Sequence, residues 1–290
     1  MTRVGDYVAL VKFSHSIFAL PFALQGAWLA RGGLPAPRVL FWIVVCAVAA
    51  RTAAMAFNRF VDRDFDAANP RTRGREIPAG VLTPRAVATL VVLASAAFVG
   101  AACALNPLAG KLSLPVLAVL LGYSYVKRWS FLAHGALGLA LALAPLGAWI
   151  AVRGDLAGDL RPVLALAAAV WTWVAGFDLI YSCQDAEFDG AQGLHSVPAR
   201  FGLRAALRAS ALLHVVTVVA LALVALLAGL GWIYWLAIAG AAALLVWEHG
   251  LVAPDDLSRV DVAFFTLNGW VGVALFLGLV LDLGLLHGGA

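Results

Sequence analysis

Nine runs of apolar residues, read as bilayer spans although the fourth is short and contains Pro115, constrain this chain more than any single residue does. A spanning helix needs roughly 20 mostly apolar residues. On that criterion spans fall at about 14–30, 38–58, 84–105, 111–126, 132–152, 161–183, 205–229, 231–249 and 261–284. Hydrocarbon offers the backbone no water to bond, so each run is read as a helix. The fold expected is all-α, a polytopic membrane bundle, with residues 1–290 forming one integral membrane domain. Composition agrees: 12% of residues are charged and the mean hydropathy is +0.93, against about 25% charged in soluble domains. Almost no chain is left for a soluble domain. The first run shows no cleavage site and reads as a retained helix. Cys46, Cys103 and Cys183 lie in apolar runs with no pairing pattern, as small packing residues do.

Basic residues set the orientation, because Lys and Arg in short loops favour the cytoplasm. With the N-terminus cytoplasmic, that side holds Arg3, Lys12, Arg59, Arg63, Arg71, Arg73, Arg75, Arg85, Lys127, Arg128, Arg200, Arg204, Arg208 and Arg259. The other side holds Arg31, Arg38, Lys111, Arg153 and Arg161, and Arg51 lies inside a span. The reverse orientation inverts the bias. The expected location is a bacterial-type inner (plasma) membrane, with the N-terminus and functional loops cytoplasmic.

At the cytoplasmic end of the second span stands Asn58-Arg-Phe-Val-Asp62-Arg-Asp-Phe-Asp66. Residues at i, i+4 and i+8 share one helix face, so Asn58, Asp62 and Asp66 form a ladder. The sixth span ends in a second ladder, Tyr181-Ser-Cys-Gln-Asp185-Ala-Glu-Phe-Asp189. Asp64 and Glu187 point off these faces into solvent. The flanks echo each other too, Ile77-Pro78-Ala79 against Val197-Pro198-Ala199, four spans apart. This predicts two similar four-helix halves plus a ninth helix. The loops 67–83 and 190–203 are the longest, and loops of that length in a compact bundle are lids or binding segments.

Four clustered carboxylates require counter-charge, since like charges a few Å apart cost energies on the kcal scale even at an effective dielectric of about 20. Oxygen ligands suit Mg²⁺, which commonly bridges carboxylates to substrate phosphate. Neither ladder offers the His or Cys ligands typical of zinc. Asn58, Asp62, Asp66, Asp185 and Asp189 are therefore the candidate metal ligands and catalytic residues. Arg59, Arg63, Arg71, Arg73, Arg75, Lys127 and Arg128 lie on the same side, and some can meet diphosphate, which a guanidinium fork matches. Lys127-Arg128, after Tyr123 and Tyr125, is the favoured pair. Arg51 lies seven residues before Asn58, on nearly the same face. A buried charge in a span usually lines an interior cavity. Asp178 mirrors it seven residues before Asp185, so Arg51 either faces substrate or pairs with Asp178. His15 reads as an interfacial hydrogen-bonding residue, and the tryptophans mostly as belt anchors.

At these residues the chain resembles the UbiA family of intramembrane prenyltransferases. The family's Asn-x-x-x-Asp-x-x-x-Asp is matched by Asn58, Asp62 and Asp66, and its Asp-x-x-x-Asp with a preceding Tyr by Tyr181, Asp185 and Asp189. Tyr125, Lys127 and Arg128 match a Tyr-x-Lys-Arg segment, and Arg51 and Asp178 match polar positions seven residues ahead of each motif. Lys12-Phe-Ser-His15 and Asn69-Pro-Arg-Thr-Arg-Gly-Arg75 are similar to the 4-hydroxybenzoate polyprenyltransferase branch. That branch includes enzymes similar to the prenyltransferase acting on 1,4-dihydroxy-6-naphthoate in the futalosine route to menaquinone, and these residues leave both acceptors open. The resemblance implies Mg-dependent transfer of a polyprenyl group from its diphosphate to an aromatic acid in quinone biosynthesis. Lipid surrounds the site and no nucleic acid is a partner. The implied roles are substrate binding by Arg51, Arg63, Arg75, Tyr125, Lys127, Arg128, Asp178 and Tyr181, with Arg51 on the acceptor carboxylate. A transporter is the alternative from another class, but its site usually lies near the midplane. A CDP-alcohol phosphotransferase would need an Asp-Gly-x-x-Ala-Arg opening that this chain lacks.

Overall fold

The computed structural model describes residues 4–11 and 19–286, and secondary structure among them is helical apart from one bridge between Ala253 and Asp256. A short α1 (Val4–Leu10) precedes α2 (Leu20–Arg31), α3 (Pro37–Val61), α4 (Arg63–Ala68), α5 (Pro84–Leu105), α6 (Pro107–Val126) and α7 (Ala133–Arg153). The second part holds α8 (Arg161–Ser182), α9 (Ala186–Ala191), α10 (Val197–Phe201), α11 (Leu203–Leu227), α12 (Trp232–Gly250) and α13 (Asn268–Leu286). Eight helices among the described residues are long and apolar enough to cross a membrane. The expected first span, 14–30, meets α2 in its second half. Its beginning, with Lys12 and His15, lies outside the described residues.

Local chemistry explains where the helices start. Proline opens α3, α5 and α6, at a position where its missing N–H costs nothing. Thr83 and Asn106 cap α5 and α6, their side-chain oxygens accepting from Ala86 N at 3.2 Å and Ala109 N at 2.8 Å. Asn106 also donates to the Ile150 carbonyl on α7 at 2.9 Å. The sequence reading began the fourth span at Lys111, whereas α6 begins at Pro107. Lys111 is exposed within the second turn of α6, so its charge does not end the helix.

Long helices neighbouring in sequence pack side by side from α3 and α5 round to α12 and α13, with α2 against α7, α13, α8 and α3. Small residues allow the close approaches. A Cβ on Gly26 would stand 2.2 Å from the Pro145 carbonyl oxygen, and one on Gly138 2.4 Å from that of Trp171. This is the small-residue contact that membrane helices favour. The core gathers Trp173, Phe177, Leu221, Tyr234 and Leu275, while Leu93, Leu212 and Val246 stand exposed on outer faces, as a lipid-facing bundle requires. Of the cysteines, Cys183 is buried, but Cys103 is exposed on α5 instead of packing inside.

Both ladders sit at helix breaks of one kind. The backbone at Asp62, between α3 and α4, has φ −90° and ψ 5°, and at Asp185, before α9, φ −104° and ψ 6°. Helical hydrogen bonds run through the first break, from Asp62 N to Asn58 O at 2.9 Å and from Asp66 N to Asp62 O at 2.8 Å. The i, i+4, i+8 face therefore survives the bend.

Candidate active site

A cavity of about 960 Å³ opens between α3, α6, α7 and α8, roofed by the loop after α4. Asn58, Asp62, Asp66, Asp185 and Asp189 all line it, as do Arg51, Arg75, Lys127, Asp178 and Tyr181. Its other walls are apolar and aromatic, including Leu120, Leu137, Leu141, Phe177 and Phe264. Two chain segments 120 residues apart thus meet around one space, with carboxylates at one end.

Three of these aspartates, Asp62, Asp66 and Asp185, have a defined cation. Lys127 Nζ lies 2.8 Å from Asp62 Oδ2, which also accepts from Asn58 Nδ2 at 3.0 Å. Arg75 donates to Asp66 Oδ1 at 2.6 Å. Arg71 grips Asp185 with a two-pronged fork, Nε on Oδ1 and Nη2 on Oδ2, and donates from Nη1 to the Tyr181 hydroxyl at 2.8 Å. Burial works against the Arg71 charge, yet the bonds to Asp185 and Tyr181 hold its guanidinium above the ordinary arginine range. Asn69 Nδ2 also donates to Asp185 Oδ1, at 2.9 Å, and Asn69 Oδ1 accepts from Arg71 N. Residues that follow the first ladder therefore hold the second one. In return His195 N, beyond the second ladder, donates to the Lys127 carbonyl at 2.7 Å.

Three sequence candidates stand apart from the cavity lining. Arg63 turns away, donating to the Phe60 carbonyl at 2.8 Å and pairing loosely with the exposed Asp64. Tyr125 stacks on Trp129 at 6.4 Å. Arg128 lies over the Tyr125 and Phe65 rings and bonds the Val61 carbonyl, reaching Asp62 at 3.5 Å. Asp178 pairs with His134, Nδ1 to Oδ2 at 2.7 Å, and this replaces its suggested pairing with Arg51. Sequence reasoning did not single out Asn69, His134, Phe264 or Phe265. The signal for Asn69 was its place at the head of the Asn69–Arg75 stretch that carries the branch resemblance. A π-helical turn, Val262–Leu267, brings Phe264 to Tyr181 at 4.3 Å between ring centres and to Phe177 at 5.1 Å. Such turns often mark functional positions. Asn268 fixes this one, donating to the Ala263 carbonyl and to the buried Glu248 while accepting from Trp173 Nε1.

The donor set fits a hard divalent cation. It is all oxygen, and Asp66 Oδ2 is buried with no hydrogen-bond partner, a position an incoming cation satisfies. Among the described residues no three His, Cys, Asp or Glu side chains converge to hold a metal ion, because Asp62, Asp66 and Asp185 are drawn to Lys127, Arg75 and Arg71.

The UbiA prenyltransferase family model matches residues 19–270. A 4-hydroxybenzoate octaprenyltransferase of Alkalilimnicola ehrlichii is 32% identical over 286 residues, covering 98% of this chain and 96% of the relative. The apo structure of a UbiA homolog from Aeropyrum pernix K1 superposes with a TM-score of 0.84 at 36% identity, over 92% of this chain and 98% of that one. A UbiA homolog from Archaeoglobus fulgidus bound to GPP and Mg²⁺ shares the fold, with a TM-score of 0.70 at 19% identity over 95% of this chain and 99% of that one.

Proposed function

The chain belongs to the UbiA prenyltransferase family, and from that premise we propose that it transfers a polyprenyl group from polyprenyl diphosphate to the ring of 4-hydroxybenzoate. The observation that carries this reading is the single cavity with two aspartate ladders and their basic partners at one end and apolar, aromatic walls beyond. The relatives named for 4-hydroxybenzoate support that acceptor over the dihydroxynaphthoate. The chain is a multi-pass membrane protein, and its basic-residue distribution supports a cytoplasmic mouth for the cavity.

Asn58, Asp62, Asp66, Asp185 and Asp189 would hold Mg²⁺, which neutralises the diphosphate charge as it leaves. Arg71, Arg75 and Lys127, which now bond those carboxylates, would offer their donors to diphosphate oxygens. The prenyl chain lies along the apolar wall. Tyr181, Phe264 and Phe177 line the cavity as one aromatic cluster, which would stabilise the positive charge that develops on the allylic carbon as the carbon–oxygen bond breaks. Arg51, two turns deeper on α3 than Asn58, binds the acceptor carboxylate and turns an electron-rich ring carbon toward that centre. The loop carrying Asn69 and Arg71 keeps out water, which would otherwise capture the cation as an alcohol.

The test is product mass spectrometry on the purified protein with one polyprenyl diphosphate and a panel of aromatic acids. Prenylated 4-hydroxybenzoate is the expected product. Exclusive prenylation of the dihydroxynaphthoate would replace the acceptor, and hydrolysis alone would overturn the transfer reading.

A further inference from the structure

Asp178 is the cavity carboxylate that pairs with an imidazole instead of an arginine or lysine. It stands seven residues before Asp185 on α8, about 10 Å deeper along the helix axis and level in sequence register with Arg51. Its Oδ2 meets His134 Nδ1 at 2.7 Å, and its Oδ1 bonds no other group among the described residues. His134 is itself buried, in the first turn of α7. On the far side of its ring, the backbone N–H of Val197, at the start of α10, points at Nε2 from 3.5 Å. That contact assigns Nε2 as the acceptor and Nδ1 as the N–H donor to Asp178. His134 thus occupies one carboxylate oxygen and leaves the other for a ligand. It also ties that carboxylate to the loop through Leu194 and His195, which closes over the cavity and bonds Lys127.

We propose that His134 is a positioning residue for the transfer reaction, holding Asp178 so that its Oδ1 takes the proton displaced from the aromatic ring. The inference rests on the prenyl-transfer reading above. As the ring carbon bonds to the allylic carbon, the pair in the carbon–oxygen bond leaves with the diphosphate. The ring C–H bond then breaks, its electrons restoring aromaticity and its proton passing to Asp178 Oδ1. The resulting carboxylic acid returns the proton to water at the polar mouth. Asp62, Asp66 and Asp185 are poor choices for this step, because each already engages a cation, and Asp189, bonded to Ser196, stands one turn beyond Asp185 toward the mouth.

The experiment measures single-turnover transfer and prenyl-diphosphate affinity in three folded variants. His134→Phe keeps the ring shape and removes both nitrogens, and it should slow transfer by about tenfold to a hundredfold, less than the roughly 10²–10⁴-fold of a whole acid–base contribution because the Asp178 carboxylate remains, with diphosphate affinity within about twofold of wild type. His134→Asn restores an N–H near the Nδ1 position and should recover most of that loss. Asp178→Asn should slow transfer at least as much as His134→Phe. A His134→Phe protein with wild-type transfer overturns the proposal, and so does an equal loss in His134→Phe and His134→Asn at unchanged thermal stability, which shows a packing role. If only stability falls while the rate per folded molecule holds, the proposal is likewise overturned. A wild-type protein that makes no prenylated acid instead sinks the transfer reading itself.

Discussion

At the scale of single residues, neighbouring arginines have opposite assignments, and that is their test. Arg71 binds Asp185 through a planar fork and reaches Tyr181, whereas Arg63 bonds the Phe60 carbonyl outside the cavity lining. Arg71→Ala should raise the KM for polyprenyl diphosphate about tenfold or more, and Arg71→Lys should recover little, because an ammonium cannot reproduce the fork. Arg63→Ala should leave kcat and KM within about twofold, since exposed polar contacts contribute little. Steady-state kinetics on the purified variants checks all three. The aspartates were legible in the sequence because their relation is local, four residues on one helix face. Asn69 and His134 were not, because their partners Asp185 and Asp178 lie 116 and 44 residues away. Arg51 and Asp178 look like a mirrored pair in sequence, but a histidine near the start of α7 takes the carboxylate instead.

At the scale of helices, stability rests on close backbone approach and on capped ends. Asp282, fully buried on α13, accepts from Gly231 N at 2.8 Å and Tyr234 N at 3.0 Å, closing the exposed donors at the start of α12. Asp282→Ala should cost about 2 kcal/mol. Gly26→Val puts side-chain atoms into the Pro145 carbonyl, forcing α2 from α7 at a cost of about 1–3 kcal/mol. Both should lower the midpoint of thermal unfolding in detergent by several degrees, and an unchanged midpoint in either would remove its assigned contact. Most helix ends followed from hydropathy and proline. The start of α6 did not, because an exposed Lys111 inside the helix reads as a loop residue when only charge is counted. The π-helical turn before α13 had no sequence signal, since its cause is the tertiary network of Asn268 with Glu248 and Trp173.

At the scale of the whole molecule, the cavity has one polar end, where the two breaks at Asp62 and Asp185 meet the loops through Asn69 and Leu194. A midplane site of the transporter kind would place its carboxylates halfway along the helices, but here four of them cluster at the helix ends. The fold class and the pairing of the ladders were legible because the bilayer imposes helices and the motif repeats. The aromatic wall was not, because it draws on α8 and the segment before α13, which are adjacent only in space. The central claim is that the two ladders form one diphosphate site with a divalent cation. Its most direct measurement is prenyl transfer in Mg²⁺, in chelator, and in folded Asp62→Asn and Asp185→Asn proteins. The account predicts transfer in Mg²⁺, none in chelator, and a loss of about a hundredfold or more in each variant. Near-normal turnover in either variant, or transfer that persists in chelator, would contradict it.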